Sequence, residues 1–145
     1  GSYLDGATLT MGYEEDEVST IAATEDAVDG TIALNYTTGN FAFGVQRKAS
    51  SKGETGANTN EIFYKDLVIG ISYAVNDNLS ISYNTYESEK HDFSAVDKVQ
   101  KSSAINVGYT IGGMTIGFQE AKTDNDNYVD NQSDDTRTLG VSVSF

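Results

Sequence analysis

The sequence predicts an all-β fold: an antiparallel transmembrane β-barrel built as a meander, with about eight strands in this chain. Three observations carry that prediction. Apolar and polar residues alternate in repeated runs, which places one side-chain set on each face of a sheet. The runs are joined in pairs by turns rich in Gly, Asn and Asp, residues that accept the positive φ of short hairpins. These tight turns alternate with long polar connections. The totals agree: the 145 residues include 14 Gly and 9 Tyr, with no Pro, Cys or Trp, a balance that suits strands and turns better than helices.

Four pieces repeat the hairpin pattern, "GSYLDGATLTMGY" (1–13), "ALNYTTGNFAFGV" (33–45), "GISYAVNDNLSISY" (70–83) and "NVGYTIGGMTIGF" (106–118). Each holds a Tyr, a turn and an alternating apolar run. Strands are expected over about 6–13, 30–38, 41–48, 62–74, 79–87, 102–111, 114–121 and 136–145. The long connections fall near 14–30, 48–61, 87–102 and 121–135. In the first of these, "EVSTIAATEDAV" (17–28) spaces Val18, Ile21 and Ala22 as a short helix would, although an acidic loop is the main reading.

A half-buried sheet in water and a barrel in lipid share this alternation, so the connections and the polar face must separate them. Transmembrane barrels alternate short turns with long loops. No apolar run approaches the ~18–20 residues of a membrane-spanning helix, whereas barrel strands need only ~9–11 alternating residues. The expected lipid-facing rows are Leu9, Met11, Tyr13; Ile32, Leu34; Phe41, Phe43, Val45; Leu67, Ile69, Ile71; Leu79, Ile81, Tyr83; Ile105, Val107, Ile111; Met114, Ile116, Phe118; and Leu139, Val141, Val143. Tyr3, Tyr36, Tyr73 and Tyr109 precede the tight turns and, with Phe145, are expected to form an aromatic girdle at one membrane interface.

The alternate face is small and polar. Its pore-lining candidates are Asn35, Gln46, Lys48, Ser72, Asn84, Tyr86, Asn106 and Gln119. An eight-stranded barrel is just wide enough for side chains to fill, and rows of Gly, Ser and Thr would leave it unfilled. They suit a wider, hydrated lumen. Gly1-Ser2-Tyr3 falls in the repeat register as the end of an incoming strand. The chain is therefore expected to be the C-terminal portion of a larger barrel. A complete small barrel acting as an anchor or adhesin through its loops is the alternative, and a soluble β-sheet module is a third reading.

These hairpins, and the ending "LGVSVSF" (139–145), resemble the C-terminal half of outer-membrane porins of the alphaproteobacterial general-diffusion type. The resemblance covers essentially the whole chain as a pattern, with only short literal matches. It implies a 16-stranded homotrimer in the bacterial outer membrane, in contact with lipid bilayer and lipopolysaccharide. It implies passive diffusion of small hydrophilic solutes or ions, without cofactor or catalysis. Val141, Val143 and Phe145 resemble the C-terminal signal read by the outer-membrane assembly machinery. The inward-folded third loop that narrows such pores would lie outside this chain.

Nine basic against 22 acidic residues give a net charge of −13, which argues against a nucleic-acid partner. The acid is concentrated in the connections, at −7 over 14–29 and −3 over 122–137. A vestibule of one sign would enrich cations. "TDNDNYVDNQSDD" (123–135) begins like a calcium loop, but Tyr128 falls on a ligand position, and a central Gly and a closing Glu are missing. No metal site is expected. His91, the single histidine, is expected to be a solvated loop residue, and no catalytic constellation accompanies it.

Overall fold

A computed structural model describes residues 5–16, 23–52, 54–55, 62–92 and 95–144. Eight long strands form one sheet: β1 (Ala7–Asp16), β3 (Ala27–Thr38), β4 (Phe41–Ser51), β6 (Ile62–Ala74), β7 (Leu79–Asp92), β8 (Lys98–Ile111), β9 (Met114–Asp124) and β10 (Ser133–Val143). Two short strands, β2 (Ala23–Glu25) and β5 (Glu54–Thr55), pair with each other. The main sheet runs in the order β1-β3-β4-β6-β7-β8-β9-β10, every pair antiparallel. It is an open meander in which β1 and β10 are each paired on one side among the described residues.

The turn chemistry sets the register. Gly112 and Gly113, at φ 54° and 80°, join β8 to β9, as a two-residue hairpin with primed geometry requires. At the β6–β7 turn the Asn76 carboxamide accepts from the amides of Asn78 and Leu79, both at 2.9 Å. This lets the side chain stand in for backbone pairing.

Every strand end at a tight turn lies close to its expected place. The differences lie at the far ends, where every long strand but β6 extends beyond the apolar alternation. β7, for example, continues to Asp92 rather than stopping near 87. Backbone pairing persists there although the side chains no longer alternate in polarity. Residues 17–22 of the first connection lie outside the described residues, and Ala23–Glu25 and Ala27–Val28 are extended, so that part holds no helix.

The sheet has almost no core. Ala104 is the sole buried apolar residue described, and Ser88 is the sole fully buried polar one. The accessible surface is 10081 Å², where a compact water-soluble chain of this mass would show roughly 7,200 Å². The difference arises because a single layer leaves both faces uncovered.

Register also gives the strand tilt. Tyr36 on β3 aligns through Phe43 with Ile71 on β6, two residues from Tyr73. Tyr73 aligns through Ile81 with Val107 on β8, two residues from Tyr109. The pre-turn tyrosines thus step one residue per strand. With ~3.4 Å per residue and ~4.8 Å between strands, a line through them crosses the hydrogen-bonding direction at about 35°, the tilt expected of barrel strands.

Candidate functional site

Cross-strand pairing sorts the side chains onto two faces. One row passes through Leu9, Leu34, Val45 and Ile69, and another through Phe41, Tyr73, Ile81, Val107, Phe118 and Leu139. These residues share one face, and among the described residues no second sheet or helix covers it. Met11 is 72% exposed, Leu139 72% and Ile71 49%. Tyr36, Tyr73 and Tyr109 lie on this face beside the tight turns. Val141 and Val143 lie on it at the end of β10, whereas Tyr3 and Phe145 fall outside the described residues.

Beyond the apolar rows, toward the long connections, the same face becomes charged. Arg137 pairs with Glu120 at 3.2 Å, Lys101 with Glu87 at 2.9 Å and Lys122 with Asp124 at 3.0 Å. Arg47 and Lys65 occupy the same side of β4 and β6. Five of the nine basic residues therefore stand just past the apolar band on its own face.

The opposite face carries the polar candidates. Asn35, Gln46, Lys48, Ser72, Asn84, Tyr86, Asn106 and Gln119 all lie on it. Amides and hydroxyls link across strands there. Gln119 donates to Asn106 Oδ1 at 2.8 Å, Asn106 donates to Asn84 Oδ1 and Ser82 Oγ at 3.3 Å, and Gln46 donates to Thr31 at 3.0 Å. Gly44 and Gly70 open a trough of about 340 Å³ bordered by Asn35, Thr37, Ser72, Ser82 and Asn84. Such rows can exchange their hydrogen bonds with water at little cost.

Toward the long connections this face also becomes charged, which the sequence alternation did not convey. Lys48 stands opposite Asp66 in register and places Nζ 3.3 Å from Asp29 Oδ1. That oxygen is buried and receives no well-aligned hydrogen bond, so the ammonium is its compensation. Asp66 Oδ1 in turn accepts from Tyr86 at 3.1 Å and from Ser88 at 2.5 Å. Ser88 Oγ also meets the Tyr128 hydroxyl at 2.7 Å. Burial holds the Tyr128 phenol above its ordinary pKa, with Asp66 and Tyr64 adding to the effect and the Ser88 hydrogen bond opposing it.

His91 is not a solvated loop residue. It belongs to β7, with Nδ1 2.9 Å from Asp97 and Nε2 3.3 Å from Glu89. Glu89, His91 and Asp97 bring donor atoms within 4.8 Å of one another. The Lys65 ammonium stands 3.2 Å from His91 Nε2, so a cation already faces that nitrogen. The sequence missed the cluster because Asp97 lies beyond the connection that follows β7.

No family model matches the chain, and no curated protein sequence does either. Its architecture does match solved structures. "Outer-membrane expressed OmpT of Vibrio cholerae" superimposes with a TM-score of 0.71 at 13% identity, covering 94% of this chain and 51% of that one. The in-vitro folded OmpT of the same organism, in a trimer form, gives 0.66 at 12% identity, covering 94% and 50%. The chain thus spans about half the length of these structures. The fold is an all-β antiparallel meander of the outer-membrane-barrel class.

Proposed function

We propose that this chain forms part of the wall of a water-filled channel in the bacterial outer membrane, through which small hydrophilic solutes or ions diffuse passively. One observation carries the reading. A single-layer sheet exposes Leu, Ile, Val and Phe rows on one face and Asn, Gln, Ser and Thr rows on the other. In water the first face would be an aggregating surface. In a bilayer it is solvated by acyl chains, while the second face keeps a lumen wet. The pre-turn tyrosines then lie at one interface. The cations past the apolar rows at the other interface meet the phosphates of anionic glycolipid, lipopolysaccharide included. Val141, Val143 and Phe145 act in this reading as the strand presented to the assembly machinery. The barrel is larger than this segment and trimeric, and its transport involves no chemistry.

Planar-bilayer recording of the protein purified at its native length from outer membranes tests the reading. Stepwise, long-lived conductance is expected. A folded, membrane-inserted protein that never conducts would favour a surface anchor instead. Cross-linking in detergent tests the trimer, with a species three times the protomer mass expected.

A further inference from the structure

The β9–β10 connection turns back over the polar face. The Tyr128 ring stands 5.8 Å from that of Tyr64 on β6, three strands away from β9. Its hydroxyl closes over Ser88 on β7, which is fully buried in a sheet that buries almost nothing else. Two further contacts bind the connection to β8: Asn125 donates to the Val99 carbonyl at 3.0 Å, and the Asn127 amide donates to Gln100 Oε1 at 3.0 Å. Lys98 pairs with Asp130.

The backbone is held in an unfavourable form to achieve this. Asn125, Asn127, Tyr128 and Asn131 all have φ between 53° and 64°. Asn tolerates this region, but a Tyr there is strained and persists only where its surroundings dictate it. The Tyr128–Ser88 contact and the Asn125 and Asn127 bonds supply that constraint. A connection merely projecting into solvent would have no reason to adopt it.

We propose that residues 125–132 form a fixed constriction of the channel, seated by Tyr128 on Ser88 and Asp66, and that this segment sets the size limit for solutes. The proposal rests on the channel reading above. The segment also carries charge: Asp130 is neutralised by Lys98, while Asp126 accepts from the Asn127 side-chain Nδ2 at 2.9 Å and pairs with no Lys or Arg among the described residues. Its uncompensated carboxylate favours cations at the narrowing.

Single-channel recording and liposome swelling with sugars of graded size test the proposal on wild type, Tyr128→Ala and Asn127→Cys. These 145 residues hold no cysteine, so a thiol at the exposed Asn127 is unique within the segment, and wild type treated with the same reagent is the control. Release of the seat in Tyr128→Ala is expected to raise conductance about twofold and admit larger sugars, as widening a pore does. Attaching a bulky neutral thiol reagent to Asn127→Cys is expected to cut conductance. If wild type conducts but Asn127→Cys is fully labelled with conductance unchanged, the constriction is wrong and the channel stands. If folded wild type is silent, the channel reading falls and takes the constriction with it. Should Tyr128→Ala not fold, the thiol experiment still decides.

Discussion

Phe41 and Tyr73 stand directly opposite one another on β4 and β6, with ring centroids 4.5 Å apart and planes tilted by 35°. The pair sits on the apolar face at its tight-turn end, where β4 begins and β6 finishes. An aromatic pair of this geometry is worth about 0.5–1.5 kcal/mol beyond the area it covers. A double-mutant cycle on Phe41→Leu and Tyr73→Leu, read by urea unfolding from lipid vesicles, is therefore expected to give a coupling in that range. Additive single-mutant effects would show that the rings act independently.

Substitution to arginine distinguishes the two faces. Ile71 and Ser72 are neighbours on β6 that point to opposite sides. Arginine at Ile71, two residues inward from the interfacial Tyr73, is expected to destabilise the inserted protein by about 1–2 kcal/mol, between the interfacial and the mid-depth cost of a cation on the lipid face. Arginine at Ser72 meets water and is expected to cost well under half as much. Equal costs in vesicle-based unfolding would mean that the apolar rows do not face lipid.

Much of this arrangement was legible in the sequence. The alternation through Leu67–Tyr73 and Leu79–Tyr83, split by Asn76–Asn78, dictates a hairpin and its two faces. Period-2 patterning reports polarity contrast, however, and fades where both faces become polar. Strand extensions such as Ser88–Asp92 were hidden for that reason. The burial of Ser88 had no local signal either, since its cover arrives from a residue forty positions later. Tyr128 read only as a misfit in an Asp- and Asn-rich stretch. An isolated aromatic in so polar a connection was the one hint that the segment packs against something.

Titration of Tyr128 follows from its seat. Its pKa lies above the ordinary 10.0 because burial disfavours the phenolate. A raised value in the folded state means that the neutral form is the one stabilised. That stability is complete below about pH 10 and is lost as pH rises through the elevated pKa. The groups facing the phenol are Asp66, Tyr86 and Tyr64, with Lys52 over the Tyr64 ring. Phenolate absorbance is expected to show Tyr128 among the tyrosines that titrate later than the exposed set. Tyr128→Phe is expected to lower the amplitude of that late phase by one phenolate, and an unchanged amplitude would show that Tyr128 titrates with the exposed set.

The glycines separate backbone need from accident. At Gly6, φ is 86°, its carbonyl accepts from the Thr37 amide at 2.8 Å, and an added Cβ would lie 2.2 Å from the Thr37 carbonyl oxygen. Backbone cannot retreat as a side-chain tip can, so Gly6→Ala combines a positive-φ penalty with a clash that must separate β1 from β3. A loss of at least about 2 kcal/mol is expected, the sum of about 1 kcal/mol for the left-handed conformation and a similar or larger cost for the displaced strand end. Gly140 on β10 offers the contrast, since a Cβ there meets nothing within 4 Å and its φ is not in the left-handed range. Gly140→Ala is expected to leave the urea midpoint essentially unchanged and even to gain a little from reduced freedom in the unfolded chain. Parallel unfolding of the two variants in the same vesicles compares a glycine fixed by the turn with one set only by the small lining of the polar face. A comparable loss in both would show that the polar face is packed rather than open.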